Sequence, residues 1–289
     1  MLRQMVRLSF LFALGAACVA AQGNPPAADR ALSPHDVYCS GMMTIEAIPY
    51  DTYLISGEES DPQTVFSGGN YVYLNKGASQ GVKVGDEFLI SRPEKDYHRL
   101  KWFKTEPGMR ATMGTQWKDL GRVRVVVAGQ NVATAQVVYS CDYLQRGDYA
   151  RPAEERPAPK LKSSTSFDRF APASGKAVGL MVAGKDFQTT FGANDVTYVS
   201  LASSEGARIG DFVRFFRYQS ERTQTAYQTR NLQDRMWEFG KSPQPYAPRS
   251  LPREVLGEGV IMRVTPKAVT VFVMFSLREL YLGDFAEIE

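Results

Sequence analysis

The chain has 289 residues, 44% of them hydrophobic, and a formal net charge of +3 at pH 7. With 34 basic and 31 acidic residues it lacks the positive excess of a nucleic-acid binder. Two histidines and three cysteines leave little material for a metal centre, so neither a metal nor a cofactor is expected.

The N-terminus reads as a targeting segment. Arg3 and Arg7 precede an apolar run, Leu8 to Val19, that is short for a bilayer span, and Val19-Ala20-Ala21 supplies the small residues of a cleavage site. Residues 1–21 are therefore assigned to a signal peptide, and the mature chain to an exported location, in the periplasm or at the outer membrane. Cys18 follows Gly15-Ala16-Ala17 and loosely resembles the box that precedes a lipid-modified cysteine. That box usually carries Leu where this chain has Gly15, so ordinary cleavage is favoured over lipidation. No later stretch approaches the roughly 20 apolar residues of a membrane helix, which makes any membrane association peripheral. Residues 22–35, rich in Pro and Ala and containing His35, are expected to form a flexible leader.

An internal repeat organises the remainder. Tyr71 to Phe88 returns as Val196 to Val213 at a constant offset of 125, which places Tyr73 on Tyr198, Gly81 on Gly206, Gly85 on Gly210 and Asp86 on Asp211. A second block matches at an offset of 136: Leu120-Gly121 lies on Leu256-Gly257, Thr134 on Thr270, and Gly147-Asp148-Tyr149 on Gly283-Asp284-Phe285. The glycines mark turns that need positive φ, and the aspartates bond to nearby backbone N–H groups. Val84 and Ile209, just before the Gly-Asp pairs, read as apolar anchors.

In chain order, Tyr38 to Ile45 is the first strand candidate and Ala177 to Ala183 its partner in the second copy. Residues 48–69 read as an insertion with short strands at Thr52 to Ile55 and Thr64 to Phe66. Between those strands lies an acidic turn with Glu58, Glu59 and Asp61. It has hard oxygen ligands but not the ordered spacing of a calcium loop, and reads as a solvated turn. Glu87 to Arg92 continues as a strand, and Pro93 opens a long loop containing Trp102, Phe103, Arg110 and Trp117. From Leu120, Val123, Val125 and Val127 alternate with Arg122, Arg124 and Val126, the period of a strand buried on one face. Val132 to Tyr139 returns after a Gly129-Gln-Asn turn.

Residues 153–174, rich in Pro, Ser, Lys and Ala, read as a linker that insulates the two copies. The second copy, 175–289, repeats the strands at 196–199, 212–217, 259–264 and 268–275. Its own long loop carries Trp237, Phe239 and Tyr246, with a short helical piece expected over Asn231 to Glu238. The predicted fold is all-β: two tandem small β-barrels of SH3 or OB size, at 36–152 and 175–289, with long inserted loops. Cys39 and Cys141 sit at the first and last strands of the first barrel, and export permits a disulfide between them.

Catalytic signatures are sparse. There is no His spacing for zinc, no Gly-x-Ser-x-Gly elbow and no phosphate loop, and the adjacent Glu58 and Glu59 do not flank a bond as glycosidase carboxylates must. The best candidate surface is the pair of long loops, where Trp102, Phe103, Trp117 and Arg110 in one, and Trp237, Phe239 and Tyr246 in the other, mix rings with cations. The same rings suit a second role, covering the open ends of the barrels.

The run Val72 to Asp86 and its copy Thr197 to Asp211 resemble a motif in the C-terminal domain of flagellar assembly protein T, Val-Tyr-x-Asn-x-Gly followed by Gly-x-x-x-Gly-Asp. The whole chain also resembles an uncharacterised family of secreted bacterial envelope proteins with tandem β repeats. The resemblance implies a non-catalytic envelope module and transfers no catalytic residue. The expected function is binding of an envelope protein or a peptidoglycan or other glycan partner; the alternative is a polysaccharide-degrading hydrolase of the envelope using acids such as Glu58 or Asp61.

Overall fold

The computed structural model describes residues 31–59, 62–96, 98–162, 167–218 and 252–289, and the backbone of two short strands at 235–236 and 240–241. The first repeat contains α1 (Pro34–Tyr38), β1 (Met42–Thr44), β2 (Leu54–Gly57), β3 (Val65–Phe66), β4 (Tyr71–Leu74), β5 (Glu87–Glu94), α2 (Glu106–Met113), β6 (Thr115–Ala128), β7 (Ala133–Ser140), β8 (Leu144–Gln145) and β9 (Tyr149–Pro152). The second contains β10 (Val178–Gly184), β11 (Thr190–Phe191), β12 (Val196–Val199), β13 (Phe212–Arg217), β14 (Arg235–Met236), β15 (Gly240–Lys241), β16 (Glu254–Val264), β17 (Val269–Ser276), β18 (Leu280–Tyr281) and β19 (Phe285–Ile288).

The fold is all-β. In the second repeat the order β10-β12-β17-β16-β13-β19 closes into a six-stranded barrel. In the first the order is β2-β4-β7-β6-β5-β9, the same path strand for strand, with β1 added along the start of β6. Its ends meet at a Tyr53–Tyr149 bridge, where Leu54 N–H donates to Asp148 O (3.0 Å) and Ala150 N–H to Thr52 O (2.9 Å). The sheet thus has few free edges, as a small barrel requires.

Alternation puts Leu54, Leu74, Val123, Val125 and Val137 inside the first barrel and leaves Arg122 and Arg124 outside on Glu87. Val127 leaves the expected alternation. A register shift between Val125 and Val127 turns it outward, so it is 56% exposed.

Several expectations are corrected by this topology. The counterpart of β10 is β2, not residues 38–45, so residues 48–69 are part of the barrel rather than an insertion. Residues 34–38 form α1, capped by the Ser33 hydroxyl, which accepts from Asp36 N–H, while the Asp36 carboxylate accepts from Ser33 N–H. Leu32 and Val37 are buried there, so this end of the leader is packed. Val84 and Ile209 point to solvent; the buried residues of those turns are Val82 and Ala207, two positions earlier. Of residues 231–238, 235–236 are strand β14 rather than helix, and the others lie outside the described residues.

The long loop after β5 contains α2, and β6 begins at Thr115, so Trp117 is a strand residue. That loop does not stay with its own barrel. Phe103 is buried in the interior core of the second barrel with Phe191, Phe215, Leu256 and Ile261, and Leu100, Trp102 and Met109 pack against the same cluster. Met43 and Met113 meet Val182, Tyr198, Met262 and Phe272 on the outside of that barrel. The two repeats are therefore joined through apolar packing.

The linker does not insulate them either. Ala171 is buried with Phe216 and Val255, Phe167 lies edge-on to Phe275 with centroids 5.0 Å apart, and Arg156 turns inward. Residues 163–166 lie outside the described residues.

Candidate functional site

The shared turns are built alike. Gly81 and Gly206 have φ of +90° and +86°, and Gly85 and Gly210 both have +93°. Asp86 accepts from Lys83 N–H and Asp211 from Arg208 N–H, each at 2.8 Å. These aspartates face their own turns and are engaged in backbone geometry. A second shared device was not read from the sequence. Arg92 forks onto Asp148 (2.7 and 2.9 Å), and Arg217 onto Asp284 (2.7 and 2.6 Å). Burial pushes both carboxyls up even with a guanidinium beside each. The signal was available: the two arginines stand at the first repeat offset and the two aspartates at the second.

The candidate binding residues separate into two groups. Phe103 is 1% exposed, Trp117 is buried edge-on to Tyr149 with centroids 4.8 Å apart, and Trp102 is half-buried. Phe103 and Trp102 belong to the packing between the barrels, whereas Trp117 packs within its own repeat. Arg110 instead lines a cleft of about 430 Å³ with Glu94, Asp96, His98, Arg99 and Gln116. Its guanidinium is fixed by Glu106 (2.7 Å), Asp96 (3.0 Å) and Gln116 Oε1 (3.1 Å). Burial raises the Glu94 carboxyl, and Lys118, 4.0 Å away, opposes that shift. A second depression of about 500 Å³ adjoins the cleft across Ala111, Gly114 and Thr115 and is edged by Ile45, Ile48 and Trp117. Trp237, Phe239 and Tyr246 lie outside the described residues, as do residues 1–30 with Cys18. Glu58 and Glu59 sit on an exposed turn, and Asp61 lies outside the described residues.

Where the barrels meet, a charged cluster surrounds Asp119 on β6. Gly41 N–H donates to its carboxylate at 3.0 Å, Arg156 forks onto it at 2.8 and 3.1 Å, and Arg263 and Arg151 approach to 3.6 and 3.8 Å. Burial would raise this carboxyl, but Arg156 and Arg263 outweigh it and hold it below the ordinary carboxylate range. Gly41 cannot be larger: a Cβ there would lie 2.4 Å from the Tyr198 hydroxyl. That hydroxyl donates to Ser40 O at 3.0 Å, and Thr265 Oγ1 donates to Met43 O at 2.8 Å. Lys118 adds a bridge, reaching Asp142 (2.5 Å) in its own repeat and Asp186 (2.6 Å) in the other.

Cys39 and Cys141 are bonded, with Cα atoms 5.5 Å apart and a sequence separation of 102. The bond ties the end of α1 to the residue after β7, and it fits an oxidising compartment. Reduction is expected to cost about 2–4 kcal/mol of stability. Denaturant midpoints with and without reductant, alongside intact mass, measure this; equal midpoints for the two forms would contradict it.

Among the described residues no group of His, Cys, Asp and Glu side chains is placed to hold a metal ion, and no helix is long and apolar enough to cross a membrane. No protein-family model matches the chain, and no curated protein matches it either.

Proposed function

We propose that the chain is an exported, non-catalytic protein of the cell envelope that works by binding a protein or cell-wall glycan partner. The observation that carries the reading is the cleft beside α2. It is concave, it presents charges of both signs from Asp96, Arg99 and Arg110 beside His98, and it adjoins the apolar depression at Ile45 and Ile48. Charges of both signs suit selection and orientation of a partner, and neighbouring apolar surface supplies affinity. The buried ring of Phe103 anchors the loop that forms the cleft wall. Export is supported by the targeting-type N-terminus and by the Cys39–Cys141 bond.

Purified mature protein is expected to sediment with envelope material without releasing soluble fragments. Arg99→Glu, at an exposed position of the cleft, is expected to weaken that binding at least tenfold with an unchanged unfolding midpoint. Undiminished sedimentation of Arg99→Glu would remove the cleft from the reading. Fragment release by the native chain, lost in Glu58→Gln, would replace binding with hydrolysis.

A further inference from the structure

The cluster at the junction is out of charge balance. Three guanidinium groups, on Arg151, Arg156 and Arg263, converge on the single carboxylate of Asp119. Arginine does not shed its proton in proteins, so two positive charges stand in excess. Arg156 uses its two terminal nitrogens on Asp119, one of them also reaching the carbonyls of Val37 and Tyr38 at 3.3 Å. Arg263 reaches Gly41 O at 3.5 Å and Met42 Sδ at 3.0 Å. Arg151 fares worst. Its Nε and Nη2, and the Nε of Arg156, are buried without a hydrogen-bond partner among the described residues. Burial presses the Arg263 guanidinium down to about 10, and the repulsion of Arg156 and Arg151 adds to that.

A buried donor without an acceptor is costly, and more so when it is charged. Donors of this kind are normally matched by something. Asp119 does not supply the match, because Arg151 Nη2 stands 3.8 Å from its Oδ1, beyond hydrogen-bonding distance. A further acid, Glu154, bears on both Arg151 and Arg263 through its charge, but its side chain is exposed.

We propose that this cluster is a binding site for a small oxyanion of the phosphate class, held by Arg151 with Arg156 and Arg263 at the seam between the two barrels. The planar fork of a guanidinium presents paired donors that match phosphate oxygens. Arg151 keeps 22% of its side chain exposed, so the cluster lies close to the surface at that residue. Arg151 lies on β9 of the first barrel, Arg156 just beyond that strand and Arg263 on β16 of the second, so a bound anion fastens one repeat to the other.

The probe is inorganic phosphate, titrated calorimetrically into the full mature chain at pH 7 and constant ionic strength. The expected result is saturable binding of one phosphate per chain, accompanied by a rise in the unfolding midpoint. Arg151→Met is expected to weaken the binding at least tenfold, and Arg208→Met, on an exposed turn of the second barrel, to leave it unchanged. Glu154→Gln guards against misfolding of the first variant: it is expected to bind phosphate as tightly as the native chain or more tightly. The proposal is overturned if neither the native chain nor Glu154→Gln takes up phosphate, or if Arg151→Met binds it equally well. A lower midpoint in Glu154→Gln with no phosphate uptake would instead identify Glu154 as the missing counter-charge.

Discussion

Phe103→Ala is expected to destabilise the protein by about 3–5 kcal/mol, the range for deleting a fully buried aromatic ring, and to do so in the barrel to which residue 103 does not belong. The ring packs among Phe191, Phe215, Leu256 and Ile261, all from the second repeat. Its removal leaves a void that those barrel side chains fill only in part. Denaturant midpoints on the full chain give the magnitude. Hydrogen exchange gives the location: amides of β13, β16 and β19 are expected to lose protection, while those of β4 and β7 keep theirs. A midpoint shift under about 0.5 kcal/mol, the size of an ordinary surface change, would contradict burial of this ring. So would exchange that rises only within the loop itself.

Asp119→Asn should be nearly as costly, at about 3–5 kcal/mol, because breaking a buried ion pair by removing one partner strands the other. Here one carboxylate faces three guanidinium groups, and the amide that replaces it retains hydrogen bonding but no charge. The native carboxyl titrates below its unfolded value of ~3.9. Its contribution is therefore fully present above that value and is lost as pH falls through the lower, folded-state pKa. Midpoints measured from pH 6 down to pH 3 should fall less steeply in Asp119→Asn than in the native chain. Parallel curves for the two proteins would separate Asp119 from acid sensitivity.

The architecture was legible because it is written twice. Two glycines and an aspartate at the same spacing in each copy, together with the alternation at Val123 and Val125, were sufficient to read strands, turns and small barrels. The junction was not legible, for physical reasons. Gly41 is an ordinary glycine in sequence; its φ of +66° and the approach of the Tyr198 hydroxyl and the Trp117 carbonyl are what require it. Phe103 reads equally well as an exposed anchor or a buried plug, since a ring's apolar area serves both. Nothing local says that its socket lies in the next barrel. Arg156 sits among prolines and alanines, a composition typical of loose linkers, yet its side chain is 6% exposed against Asp119. The candidate site divided along the same line. Arg110 borders an open cleft because α2 turns it there, whereas the aromatic residues flanking it are held inside.

The crossing of Phe103 into the second barrel also orders events in time. A chain delivered from its N-terminus releases residues 31–152 first. At that point Cys39 and Cys141 are both present, and their bond can form where conditions are oxidising. Phe103 then has no socket, because Leu256, Ile261 and the last strand, β19, have yet to emerge. A chain at that stage carries Phe103 as an aromatic side chain without its packing partners. Such a species is prone to associate with itself or to be held by a chaperone. Truncation anywhere before β19 would make that stage permanent.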